Sequence, residues 1–158
     1  MGIEIERKFL LSGESWRTHA VGCRYRQGYI CTGAGRTVRV RTVEQKGYLT
    51  IKGPSTGPAK LEFEYEIPVE EADELLADLC ETPLIDKMRY TVDYRGFTWE
   101  IDEFYGDNQG LLIAEIELDN LDQDVDLPDW VGEEVTGDHR YFNASLVKNP
   151  YAKWKDDK

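Results

Sequence analysis

The segment Leu61-Glu62-Phe63-Glu64-Tyr65-Glu66-Ile67 constrains the fold more than any other part of the chain. In a β-strand successive side chains point to opposite faces. This segment therefore puts Glu62, Glu64 and Glu66 on one face and Phe63, Tyr65 and Ile67 on the other. The pattern recurs. Glu4, Glu6 and Lys8 alternate with Ile3, Ile5 and Phe9, and Arg39 and Arg41 alternate with Val38 and Val40. Lys87 and Arg89, Glu100 and Asp102, and Glu115 and Glu117 keep the same two-residue spacing. So many period-two segments call for a mainly β structure.

Taken in order, the strands expected are 1–11, 24–31, 36–43, 48–52, 61–68, 84–94, 97–105 and 111–118. Gly33-Ala34-Gly35, Lys46-Gly47, Arg95-Gly96 and Gly106–Gly110 supply the turns, and the Pro- and Gly-rich stretch Gly53–Pro58 supplies a loop. The period changes at Val69–Cys80, where Ala72, Leu75, Leu76 and Leu79 follow helical spacing. A helical turn around Trp16–Ala20, a brief strand at 132–136 and a final helix over Arg140–Asn149 complete the chain. The expected domain is a single unit over residues 1–150, followed by a solvated tail over 151–158.

The formal net charge of −12 argues against nucleic-acid binding, which needs a basic surface. It does not argue against a local basic cluster that holds a phosphate beside acidic groups holding a cation. No apolar run is long enough to span a bilayer, and no basic region followed by an apolar one marks the N-terminus. The three cysteines, Cys23, Cys31 and Cys80, show no paired spacing and read as reduced thiols, so a cytoplasmic location is expected. His19 and His139 lie far apart and read as structural.

The charges are sorted by strand. Glu4, Glu6, Glu62, Glu64, Asp102, Glu115 and Glu117 are acidic, and Arg39, Arg41, Lys52, Lys87 and Arg89 are basic. An antiparallel sheet with one wet face would account for any one strand. For the set, like charges two residues apart need a reason. Carboxylates converging on a divalent cation and cations converging on phosphates supply one. A sheet of about eight strands rolled into a barrel, charged faces inward, meets both demands. Its apolar outer faces would be covered in part by the two helices, and they leave room for a homodimer.

The ordered series Glu4-Ile5-Glu6-Arg7-Lys8-Phe9, Gln27-Gly28-Tyr29, Arg39-Val40-Arg41, Thr50-Ile51-Lys52-Gly53, Glu62-Phe63-Glu64, Lys87-Met88-Arg89, Trp99 to Phe104, Ala114 to Glu117 and Val135 to Asn143 resembles the CYTH superfamily, the triphosphate tunnel metalloenzymes. The resemblance implies an eight-stranded antiparallel tunnel, a triphosphate substrate and Mg²⁺ or Mn²⁺. It lies nearest the small bacterial triphosphatases, since Arg26-Gln27-Gly28-Tyr29-Ile30 departs from the segment that cyclase and thiamine-triphosphatase relatives carry. The activity implied is metal-dependent hydrolysis of the terminal phosphoanhydride of tripolyphosphate, with nucleoside triphosphates as further substrates. The alternatives are a class IV-type adenylate cyclase and a non-catalytic polyphosphate- or nucleotide-binding module.

On that resemblance, Glu4, Glu6, Glu115 and Glu117, then Glu62, Glu64 and Asp102, are the expected metal ligands. Arg39, Arg41, Lys52, Lys87 and Arg89 would hold phosphate oxygens, and Lys8 would stabilise charge on the transferring phosphoryl group. Tyr29 is expected to bond the substrate or to pack. Asp138 and Arg140 are expected to tie the C-terminal segment to the tunnel mouth. Arg7, Glu66 and Glu103 are expected outside the site.

Overall fold

The computed structural model describes residues 2–54 and 58–156. Nine strands form one antiparallel sheet: β1 (Gly2–Leu11), β2 (Val21–Gly33), β3 (Arg36–Val43), β4 (Lys46–Lys52), β5 (Ala59–Ile67), β6 (Ile85–Tyr94), β7 (Phe97–Phe104), β8 (Leu112–Glu117) and β9 (Val131–Glu134). The order is β5-β4-β3-β2-β6-β7-β8-β1-β9, and a further β1–β5 pairing closes the first eight into a barrel. β1 serves as the seam. Its first half, Gly2 to Ile5, pairs with β5, and Phe9 and Leu11 pair with β9 beyond the point where β5 begins.

The register sorts the faces as the alternation required. Glu6 lies opposite Glu117, Lys8 opposite Glu115, Glu115 opposite Glu100, and Asp102 opposite Arg89. Arg39 lies opposite Tyr29 and Thr50, and Lys52 opposite Glu62. All belong to the inner face. The outer face of β1, β7 and β8 carries Phe9, Trp99, Ile101, Ala114 and Ile116, buried beneath Trp16 and Trp130. Trp16 comes from the 3-10 turn Ser15–His19, and its ring meets Tyr90 at 5.2 Å. Burying large aromatics of this kind contributes roughly 2–3 kcal/mol each.

Helix α1 (Val69–Asp78) covers the outer face of β3 and β4 with Ala72 and Leu76 on Val40. Two strand glycines permit this approach and that of the segment following the helix. A Cβ at Gly47 would meet the Ala72 Cβ at 2.7 Å, and one at Gly28 would meet the Leu84 side chain at 2.7 Å.

Three expectations are corrected. The segment 140–149 is helical only over Asn143–Lys148 (α2), because Phe142 is extended and ends the preceding 3-10 turn His139–Tyr141. α2 does not cover an outer face. Leu146 and Val147 pack on Ile85, Phe104 and Ile113, which are inward positions of β6, β7 and β8, so α2 closes one end of the barrel. The tail is not solvated from residue 151. Trp154 is 8% exposed in the same cluster, and its Nε1 donates to the Asn149 carbonyl. Its indole meets Tyr141 and Tyr151 edge-on, at 5.3 and 5.0 Å. Asp157 and Lys158 of that tail, and Ser55 to Gly57 of the loop expected at 53–58, lie outside the described residues.

Candidate active site

The inner face lines a cavity of about 640 Å³. Of the residues expected to act, Glu4, Glu6, Lys8, Tyr29, Arg39, Arg41, Lys52, Glu62, Glu64, Lys87, Arg89, Glu115 and Glu117 all reach it. β1 delivers Glu4, Glu6 and Lys8 because side chains two apart share a face, and the same spacing on each other strand aims its charges inward.

Lys8 is the best enclosed of the β1 charges. Its Nζ donates to Glu115 at 2.7 Å and lies 3.3 Å from Glu6. Burial opposes its charge, but Glu115 and Glu6 outweigh this and push its pKa up. Burial likewise opposes the charge on Glu115, and Lys8, Arg89 and Lys87 overcome it, holding that carboxyl well below its usual range. Both are therefore ionised at neutral pH. The Lys8 backbone is fixed by the C-terminal segment: its N–H donates to Thr136 Oγ1, and its carbonyl accepts from the Val135 N–H.

Asp102 was expected among the metal ligands. In the structure both its oxygens are taken. Arg89 grips it with two bonds of 2.7 and 2.8 Å, and Lys87 donates to it at 2.8 Å. A carboxylate held this way, 1% exposed, orients its two cations. Lys87 is also bonded to Asn143 of α2 at 3.2 Å. Burial and the neighbouring Arg89 depress Lys87 to about 7 against the attraction of Asp102.

Arg39 and Arg41 sit side by side on β3. Glu64 accepts from Arg41 at 3.0 Å and from Thr50 at 2.7 Å, and lies 3.5 Å from Arg39. Among the described residues, the Nε donors of Arg39 and Arg41 are both buried and have no hydrogen-bond partner. A buried charged donor left unpaired is costly. Two of them on adjacent guanidinium groups facing one cavity suit an anion with several oxygens.

The remaining carboxylates crowd together. Burial raises the Glu117 pKa, and Glu4, Glu100, Glu62 and Glu6 raise it further. Burial and Glu115 raise that of Glu6. Among the described residues no three acidic or histidine side chains converge closely enough to ligate a metal, since Lys52 occupies Glu4 at 3.0 Å and Lys8 engages Glu6. The donor set nevertheless fits a hard cation. All the groups are oxygens, and their mutual repulsion is the condition that a divalent ion relieves.

Several site residues escaped the sequence reading. Tyr25 lies beneath the cations, with its ring 5.1 Å from the Arg89 guanidinium and 5.3 Å from that of Arg41. Lys60 and Glu100 line the cavity. All three share parity with residues that were assigned, which was the available signal. Asn143 had no strand parity to mark it, because it arrives on the closing helix. Tyr29 both packs, at 5% exposure, and accepts a bond from the amide of Gln27 at 3.3 Å. Asp138 and Arg140 pair with each other, and Asp138 caps the 3-10 turn by accepting from the Arg140 N–H; Thr136 and Asn143 tie that segment to the barrel instead. Arg7 points outward onto Glu134, and Glu103 pairs outside with Arg17.

The CYTH domain family matches residues 2–151. The chain belongs to the CYTH family. It is 56% identical to the inorganic triphosphatase of Acetivibrio thermocellus over 156 residues, 99% of this chain and all of that one. It is 35% identical to that of Nitrosomonas europaea over 149 residues, covering 91% and 96% of the two chains. A solved inorganic triphosphatase superposes with a TM-score of 0.63 at 32% identity, covering 90% of this chain and 96% of that one. A putative adenylyl cyclase from Hippeastrum shares the fold at a TM-score of 0.58 and 16% identity, over 74% of this chain and 80% of that one. The CYTH barrel here is thus the eight-stranded tunnel that the alternation called for, with β9 added at its seam.

Proposed function

We propose that this CYTH protein is a divalent-metal-dependent triphosphatase. It hydrolyses the terminal phosphoanhydride of a triphosphate, first of all inorganic tripolyphosphate. The observation that carries the reading is the pair of orphaned, buried Nε donors on Arg39 and Arg41 in a cavity also lined by Lys8, Lys52, Lys87 and Arg89. The two inorganic triphosphatases that match nearly the whole chain support it.

Arg39 and Arg41 grip phosphate oxygens with planar forks, and Lys52 adds a point charge. Lys87 and Arg89, aligned by Asp102, hold the next phosphate. Lys8, fixed between Glu115 and Glu6, neutralises charge that builds on the transferring phosphoryl group. Glu4, Glu6, Glu62 and Glu117 would hold Mg²⁺ or Mn²⁺, which supplies charge neutralisation and activates water. One of these carboxylates takes the proton of the attacking water. Glu64 and Glu115 steady their arginine and lysine partners.

No helix among the described residues is long and apolar enough to cross a membrane. The three free cysteines fit a reducing cytoplasm. A homodimer would use the outer face of β1, β4 and β5, where Ile3, Ile51, Leu61, Phe63 and Tyr65 are exposed and neither helix lies over them. The test of function is phosphate release from tripolyphosphate, ATP and thiamine triphosphate, with Mg²⁺ or Mn²⁺ and with chelator. Fastest release from tripolyphosphate, lost with chelator, is expected. Cyclic AMP with pyrophosphate from ATP would assign a cyclase, and binding without turnover under either metal would leave a binding module.

A further inference from the structure

We propose that Lys60 is a further substrate-binding residue of the tunnel, a cation held open for a phosphate oxygen. The inference rests on the triphosphatase reading. β5 begins at Ala59, and the pairing of Glu4 with Lys60 puts Lys60 on the inner face beside Glu62 and Glu64. Its side chain is 14% exposed and lines the cavity.

The six other cations on the inner strand faces are engaged. Lys8, Arg41, Lys52, Lys87 and Arg89 each have a carboxylate oxygen within 3.0 Å, and Arg39 has one at 3.5 Å. Lys60 differs. Among the described residues its nearest carboxylate oxygen is Glu6 Oε1 at 4.0 Å. What holds it instead is an aromatic ring: Nζ lies 5.0 Å from the centroid of Phe142. That ring is itself stacked on His139 at 4.9 Å. A cation–π contact orients an ammonium without cancelling its charge. A polyanion entering this part of the cavity meets an oriented cation that need not first leave a carboxylate.

The competing role for Lys60 is to temper Glu6 alone. Titrating tripolyphosphate calorimetrically into the protein in chelator separates the two, because no metal then bridges Glu6 to phosphate. Lys60→Ala and Lys60→Met should both weaken this binding about tenfold or more, and Lys60→Arg should restore it to within about threefold. With metal present, KM should rise in the first two variants while kcat changes little, and melting temperatures should stay near wild type. Unchanged metal-free affinity in both neutral variants, with only the metal requirement altered, would overturn the inference and assign Lys60 to Glu6. A wild-type chain that neither binds nor hydrolyses tripolyphosphate would overturn the triphosphatase reading as well.

Discussion

Lys87 titrates near neutrality in the free protein, at about 7, because burial and Arg89 outweigh Asp102. The protonated form is the one that attracts phosphate. Below pH 7 it is already present. Above pH 7 the free protein has lost the proton and must take one up to bind. Calorimetry in buffers of differing ionisation enthalpy should therefore show more proton uptake on tripolyphosphate binding at pH 8 for wild type than for Lys87→Met. Equal uptake would remove Lys87 from the substrate shell. Asp102→Asn leaves Lys87 and Arg89 buried without their shared counter-charge. It should cost about 3–5 kcal/mol of stability by denaturant unfolding, in addition to raising KM. A variant as stable as wild type, with only its metal affinity changed, would return Asp102 to the metal ligands. The sequence could not make that choice, since a carboxylate between two cations and a carboxylate on a metal are the same residue at the same spacing.

At the scale of elements, the barrel wall was legible and its closures were not. Period-two charges on segment after segment, with sign sorted by strand, leave few arrangements besides an inward-facing tunnel. The end-closing role of α2 had no such signature. Leu146 and Val147 would look the same on an outer face as against Ile85, Phe104 and Ile113. Lys60 escaped because the Pro-Gly loop hid the first two residues of β5. Trp154 escaped because a short charged tail reads as solvated, whereas its indole completes the closing cluster. Trp154→Ala should accordingly cost about 3 kcal/mol by urea unfolding. A cost under about 0.5 kcal/mol would mean that the tail contributes nothing to the closed end. Gly47→Val should also destabilise, by about 1–3 kcal/mol, because its Cβ would collide with Ala72 and lift α1 from the barrel.

Over the whole molecule, a net charge of −12 surrounds a cavity whose cations are mostly engaged with carboxylates. Both halves of the site are thus held ready by each other until ligands arrive. Glu117, Glu4, Glu62 and Glu6 repel one another in the free protein, so a divalent cation bound there should stabilise the fold. At a hundredfold excess over Kd the gain is about 2.7 kcal/mol, read as a rise in melting temperature. The double variant Glu4→Gln/Glu117→Gln should lose most of it; an undiminished rise would place the cation elsewhere. The most direct test is ³¹P NMR of tripolyphosphate incubated with the protein and Mg²⁺. The expected result is orthophosphate and pyrophosphate growing in equal amounts, with no change once chelator is present. A tripolyphosphate spectrum that stays constant with either Mg²⁺ or Mn²⁺ would contradict a tunnel built to cleave the terminal phosphoanhydride.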